Sequence, residues 1–367
     1  MRVVFRADAS LQIGTGHVMR CLTLAQALAA KGGECEFICR EHPGALIDFV
    51  RRKGFVVHTL RAGEVCSDAS RSSSELAHAH WLGASQEDDA AACVSVLQGG
   101  RPDWIVVDHY ALDASWEVML RARCGGLMVI DDLADRRHEC DLLLDQTFGR
   151  SISDYRPWVP HKCRLLCGSQ YALLRPEFAQ LRPYSLLRRA EPELKQLLIT
   201  MGGVDKNNAT RAVLATLRSS ALPPECGLTV VMGAVSPWLN DVQEQARTMP
   251  WKTDVLVGVA DMGQLMSDSD LVIGAAGSTS WERCCLGVPT IMVVTAPNQI
   301  DVARNLAKAE AAMVIGMDQS IAGVLPELIE SMLSPKNLYA ISQAAAEIVD
   351  GRGVDAIAAL LEHGRVS

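Results

Sequence analysis

Gly14-Thr15-Gly16-His17 joins two glycines to a histidine directly before an apolar, helix-spaced segment that starts at Val18. The apolar run Val3-Val4-Phe5 precedes it, so the loop is expected at the carboxyl end of a strand, where open α/β sheets bind ligands. A dinucleotide fingerprint fails, because Met19 stands where a third glycine would allow close helix packing. Val18, Cys21, Leu22, Ala25, Leu28 and Ala29 recur at helical spacing and Gly32 stops the pattern, which sets His17 at a helix N-terminus. The positive end of the helix dipole disfavours imidazolium by some tenths to about 1 kcal/mol, so the ring is suited to accept a proton near neutral pH. The chemistry on offer is that of a general base acting on water or a hydroxyl. The competing reading is a histidine that only caps the helix or bonds a loop carbonyl.

Around that loop the first half alternates strand and helix. Strands are expected at Val3-Phe5, Glu36-Cys39, Val56-Leu60, Trp104-Asp108, Leu127-Ile130 and Leu142-Leu144, with helices near 18–30, 44–53, 84–98 and 114–122. Continuous apolar strands with helices between them imply a parallel sheet covered on both faces. Three strand ends are polar, at Asp108-His109-Tyr110, Asp131-Asp132 and Asp145-Gln146-Thr147, and they share the sheet edge with His17. Each could be a turn former or helix cap; three on one edge suggest a site. Residues 151–195 are less regular, and the charged, proline-punctuated stretch from Arg182-Pro183 to Glu191-Pro192-Glu193 reads as an interdomain linker.

A second α/β unit starts at Gln196-Met201 and runs into Gly202-Gly203, then a helix from about Ala209. Backbone N–H groups there would suit phosphate oxygens, and the Walker lysine pattern is absent. Further strands are expected at Leu228-Met232, Asp254-Gly258, Leu271-Ile273, Thr290-Val294 and Ala312-Ile315. The small-residue loop Gly274-Ala275-Ala276-Gly277-Ser278-Thr279 leads to Glu282, which is either a capping-box partner of Thr279 or an acceptor for a ribose diol.

The chain has 367 residues, 49% hydrophobic and 21% charged, which suits two globular domains, expected at 1–190 and 191–367. A net charge of -8 and a pI near 5.6 argue against nucleic-acid binding, which needs a basic face. The 12 cysteines are scattered and lack zinc or disulfide spacing. With no apolar run long enough to span a bilayer and no leader pattern, a cytoplasmic, non-membrane protein is expected, monomeric or weakly oligomeric.

Two sets of motifs carry a family resemblance. Gly202-Gly203, Val257-Gly258-Val259-Ala260-Asp261-Met262, Gly277-Ser278-Thr279-x-x-Glu282 and Asn298-Gln299 resemble the nucleotide-binding half of GT-B glycosyltransferases, especially the GlcNAc transferase of lipid II synthesis. The first half, through Arg6-Ala7-Asp8-Ala9-Ser10-x-Gln12-Ile13-Gly14-Thr15-Gly16-His17-Val18-Met19-Arg20-Cys21-Leu22, Trp81-Leu82-Gly83-x-x-Gln86, Val107-Asp108-His109-Tyr110 and Tyr171-x-Leu173-Leu174-Arg175-Pro176-Glu177-Phe178, is similar to the UDP-2,4-diacetamido-2,4,6-trideoxy-β-L-altropyranose hydrolases of pseudaminic acid synthesis, a route to flagellin glycosylation. The resemblance implies two Rossmann-like α/β domains in a GT-B arrangement with an interdomain cleft. It also implies inverting C–O cleavage of a UDP-sugar, with no metal and no cofactor. His17 stands at the position of the family's base. Sugar-facing candidates are Asp8, Gly14, Thr15, Gly16, Arg20, Asp108, Tyr110 and Arg175; nucleotide candidates are Gly202, Gly203, Val259, Met262, Gly277, Ser278, Thr279, Glu282, Asn298 and Gln299.

UDP is already a good leaving group, so its sugars can be cleaved without the second carboxylate that ordinary glycosides need. One base to aim water at C1 and donors for the charge gathering on the diphosphate are enough. Asp8 or another carboxylate of the first half is expected to orient His17. A GT-B transferase using a UDP-amino sugar, a hydrolysing UDP-sugar 2-epimerase and a nucleotide-sugar-binding regulator are the alternatives. The polar, serine-rich stretch Arg61-His80 offers no membrane-docking patch for a lipid acceptor. Closure of the cleft would bring base and substrate together.

Overall fold

The central strands form where apolar residues run without a break, because they are buried on both faces, whereas the edge strands at 56–60 and 253–257 are partly exposed. The computed structural model describes residues 1–61, 76–234 and 236–364, so most of the serine-rich stretch lies outside the described residues. The chain divides into two units, Met1–Leu173 with Arg352–Ser367, and Leu174–Gly351.

Unit one carries strands β1 (Arg2–Ala7), β2 (Glu34–Arg40), β3 (Val56–Leu60), β4 (Trp104–Asp108), β5 (Gly126–Ile130), β6 (Leu142–Asp145) and β7 (Arg164–Cys167). All pair in parallel, in the order β3-β2-β1-β4-β5-β6-β7. Helices α1 (Gly16–Ala30), α2 (Ile47–Arg52), α3 (Gln86–Val96), α4 (Ala114–Arg121) and α5 (Ile152–Tyr155) connect them. The period of two along a strand splits the side chains between two cores. Val3, Phe5 and Ala7 pack with Leu24 and Leu28 of α1, whereas Val4 packs with Ile105, Val107 and Leu127 against Trp116 and Leu120 of α4. Between β1 and β4 the strand order reverses, and open α/β sheets hold ligands outside the carboxyl ends at such a point.

Unit two repeats the plan. It comprises α6 (Pro176–Arg188), β8 (Gln196–Thr200), α7 (Ala209–Leu217), β9 (Gly227–Met232), α8 (Leu239–Ala246), β10 (Thr253–Val257), α9 (Met262–Asp268), β11 (Leu271–Ala275), α10 (Thr279–Cys285), β12 (Thr290–Val293), α11 (Ile300–Lys308), β13 (Met313–Ile315), α12 (Ile321–Met332) and α13 (Pro335–Ala346). The sheet order is β10-β9-β8-β11-β12-β13, with its reversal between β8 and β11. The chain then returns to unit one as α14 (Gly353–His363), whose Val354, Ile357, Ala358 and Leu361 join the α1 core.

Three expectations need correction. The supposed linker is helical to Arg188, because Pro176 starts α6 at a position that needs no N–H and the helix tolerates Pro183. The units divide at 173/174 and 351/352, whereas the sequence suggested 190. α6 is fastened inside unit two by Arg182, which donates to the carbonyls of Cys285, Ala346 and Val349, and by Ser185, which donates to that of Leu286. Strand β7 falls in the stretch read as irregular. Among the described residues no helix is long and apolar enough to cross a membrane.

At the end of β9, a Cβ on Gly233 would lie 1.8 Å from the carbonyl oxygen of Gly203. The obstacle is backbone, so Gly233→Ala should behave as overpacking, costing about 1–3 kcal/mol and lowering the melting temperature by roughly 3–10 °C in calorimetry. An unchanged transition would mean that the loop at Gly203 yields freely.

Candidate active site

α1 begins at Gly16, so His17 lies in its first turn, and its Nδ1 is 2.6 Å from Oδ1 of Asp108 at the end of β4. An ionised carboxylate only accepts, so it fixes the proton on Nδ1 and leaves the lone pair on Nε2. Asp108 is fully buried. Burial opposes its ionisation, but Arg20 and His17 outweigh that and hold its carboxyl far below the usual range. Arg20 sits one helical turn beyond His17. It donates through Nε (2.5 Å) and Nη2 (2.6 Å) to Asp108 and through Nη1 (2.9 Å) to Asp132. Asp132 also accepts from the Tyr110 hydroxyl. Burial, with Asp132 next in effect, pushes the Tyr110 phenol well up, so it stays a donor.

Tyr110 also belongs to an aromatic wall. Its ring meets His17 edge-on at 4.6 Å and stacks on Trp81 at 5.7 Å, and His78 lies 4.3 Å from Trp81. Burial lowers the His78 pKa, which favours the neutral ring. Half-buried aromatic faces such as those of Trp81 and His78 suit the C–H faces of a sugar.

Several sequence candidates take other places. Asp8 is enclosed: Oδ1 accepts from Arg6 Nη1 and the Arg40 backbone N–H, both at 2.6 Å, and Oδ2 faces His109 Nε2 at 3.3 Å. Strand pleating explains this. Asp8 shares the face of Val4 and Arg6, opposite the α1 core, whereas Asp108 shares that of Val106 and turns toward α1. Asp8 therefore neither orients His17 nor reaches a ligand. Asp108 and Arg20, expected to face a sugar, are used up in holding His17. Gly14 closes a turn on Ser10 (N···O 2.8 Å), and Thr15 precedes α1 without a side-chain cap. Arg175 belongs to unit two, with its guanidinium 2.8 Å from Glu177 and 3.8 Å from Glu282.

Asp132 had been visible only as a polar strand end, and His78 carried no signal. Asp89 was missed altogether. It accepts from Arg6, Arg40 and Trp116, tying α3 to β1, β2 and α4; burial opposes its ionisation, but Arg6 and Arg40 draw its carboxyl down to about 2.

In unit two the glycine loops follow β8 and β11, the strands flanking the reversal. Gly202 adopts φ 89°, and nothing lies within 4 Å of a Cβ built on Gly202, Gly203 or Gly277. The first amides of α7 are not free for phosphate, however, because Asp205 accepts from Ala209 and Thr210 and Asn208 from Arg211. Gln299 bonds back to Thr295, Asn298 is exposed, and Val259 and Met262 are half-buried around Asp261, which caps α9. The capping box proposed for Glu282 is not formed: Ser278 precedes α10 and no side chain caps it. Among the described residues no three His, Cys, Asp or Glu side chains are grouped to hold a metal ion.

Residues 197–353 match the glycosyltransferase family 28 C-terminal domain. The structure of MurG from Acinetobacter baumannii superposes with a TM-score of 0.68 at 15% identity, over 98% of this chain and 99% of that one. The fold is GT-B. A UDP-GlcNAc 2-epimerase from Neisseria meningitidis, solved with UDP-GlcNAc, shares this GT-B fold with a TM-score of 0.60 at 12% identity, over 99% of this chain and 100% of that one. In sequence, the chain is 26% identical over 308 residues to the UDP-2,4-diacetamido-2,4,6-trideoxy-beta-L-altropyranose hydrolase of Campylobacter jejuni, covering 84% of this chain and 97% of that protein.

Within the GT-B framework Glu282 is held at a cost. Burial raises its pKa from 4.5 to about 6, with Arg175 opposing. A folded value above the unfolded one stabilises the fold fully below about 4.5, and that contribution is lost as pH rises through about 6. Glu282→Gln should therefore raise stability at pH 7.5 by up to about 2 kcal/mol and leave it unchanged at pH 4, measured by denaturant titration at both. A loss of stability at pH 7.5 would show that the Arg175 contact dominates.

Proposed function

We propose that the chain is a UDP-sugar hydrolase that breaks the anomeric C–O bond of UDP-2,4-diacetamido-2,4,6-trideoxy-β-L-altropyranose with inversion, releasing UDP and the free sugar. The observation that carries the reading is the His17–Asp108 pair at the sheet reversal of unit one, with Nε2 left as acceptor. Nε2 takes a proton from water as the water oxygen bonds to C1, and the C1–O electron pair leaves with UDP. Asp108, shared with Arg20, holds the imidazolium in place. Such a base contributes about 10²- to 10⁴-fold.

The nucleotide is assigned to unit two, with the amides around Gly202, Gly203, Gly277, Ser278 and Thr279 toward the diphosphate and Glu282 toward the ribose diol. The ionised Glu282, costly in the empty protein, suits such a diol, since active sites often store instability. Tyr110, Trp81 and His78 form the wall for the sugar. A UDP-sugar substrate fits a cytoplasmic enzyme and a place in pseudaminic acid synthesis. Hydrolysis is preferred over transfer because the transferase family model matches only residues 197–353, whereas the likeness to the hydrolase spans 84% of the chain.

Proton NMR of the purified chain with UDP-sugars tests this directly, reading which sugar is released and in which anomeric form. His17→Asn and Asp108→Asn should each lower turnover by about 100-fold or more while UDP affinity stays within about threefold. Near-normal turnover in His17→Asn would remove the base. Transfer to an added sugar acceptor outrunning hydrolysis would favour the glycosyltransferase, and release of a 2-epimerised sugar the epimerase.

A further inference from the structure

Unit two buries two arginines, Arg189 and Arg283, and the second is left shorter of partners. The half-buried Arg182 and the buried Arg189 spread their terminal N–H groups over carbonyl oxygens of neighbouring turns, as structural clamps do, and of Arg189 the Nε lacks a partner. Arg283 is 1% exposed, yet only its Nη2 is bonded, to the Ala275 carbonyl (2.8 Å) and Ser280 Oγ (3.0 Å). Its Nε and Nη1 have no hydrogen-bond partner, and no carboxylate lies within ion-pair distance among the described residues. An uncompensated buried cation is costly, and a buried polar group without partners calls for a reason.

Its position supplies one. Gly274 pairs with Thr200 across β11 and β8, and a Cβ on Gly274 would lie 2.3 Å from Arg283 Nη1 and 2.9 Å from the Thr200 carbonyl oxygen. The guanidinium thus lies against the Cα of Gly274 at the carboxyl ends of the two strands that flank the reversal. The loop through Gly202 and Gly203 continues from one strand and that through Ala276 and Gly277 from the other. Gly274 is small to admit the guanidinium, while Gly277 faces open space.

We infer that Arg283 is a positioning residue for the diphosphate of the ligand: its charge, unbalanced within the unit, lies beneath both glycine loops and is compensated when a diphosphate binds there, and its bond to Ala275 holds the second loop in place. Burial draws the Arg283 pKa down to about 10, so the cation is present at neutral pH. The inference rests on the reading that unit two takes UDP. Arg283 does not touch the ligand; it acts through field and loop geometry, so its signature is discrimination between charged and uncharged forms of one nucleoside.

Calorimetry of the full chain with UDP and with uridine reads that signature. Arg283→Met should weaken UDP by about tenfold or more and leave uridine within about twofold, collapsing the ratio of the two affinities. Arg283→Lys should restore most of the ratio at pH 7 and lose it as pH rises toward 10, where a buried lysine gives up its proton before an arginine does. Gly274→Ala, which displaces the guanidinium without removing it, should lower the ratio too. Parallel weakening of UDP and uridine in these variants, or a pH-independent ratio in Arg283→Lys should Arg283→Met not fold, would overturn the inference while leaving the UDP assignment standing. A wild-type chain that binds uridine and UDP equally would overturn the inference, and one that binds neither would remove the assignment with it.

Discussion

A buried carboxylate cannot be left alone, and the site in unit one is built around satisfying Asp108. Its two oxygens take three nitrogen donors, one from His17 and two from Arg20, with the Cys21 thiol as a weak fourth, and His17 and Arg20 sit one turn apart on α1. The register of β4 on β1, Ala7 opposite Asp108, delivers the carboxylate to that turn. Arg20 then carries the network to Asp132 and, through it, to Tyr110. An arrangement in which each charge is another's partner is hard to loosen at one point, and rigidity of that kind is what a catalytic base requires.

The alternation of strand and helix was legible because parallel strands buried on both faces show as unbroken apolar runs. The elements that escaped were short or disguised. β7 has four residues and begins with an exposed arginine, and α6 carries the prolines that marked the region as a linker. The place of α6 in unit two could not be read locally, since Arg182 reaches carbonyls about a hundred residues or more away. His17 stood out because its position in the chain, after a strand and at a helix start, already implied its setting. Its partner did not, because choosing Asp108 over Asp8 takes both the strand order, which makes β4 the neighbour of β1, and the parity of the pleat, which sends Asp8 to the far face.

In unit two the sequence located the glycine loops at the strand ends and misjudged what occupies their neighbourhoods. Side chains close off the first amides of α7, and Gly274 makes room for a guanidinium. Two adjacent residues of α10, Glu282 and Arg283, are each displaced from their ordinary ionisation by burial. Such local conflicts with good packing tend to gather where a fold does its work.

The return of α14 to unit one gives that unit two pieces of sequence, separated by all of unit two. Val354, Ile357, Ala358 and Leu361 fill its core, and the Trp104 indole N–H is bonded to the Leu361 carbonyl at 3.1 Å. During synthesis the half made first therefore keeps its α1 face uncovered until α14 has been made. The nascent protein thus carries an unfinished apolar surface for the time it takes to add roughly half its residues, the kind of exposure that chaperones exist to shield.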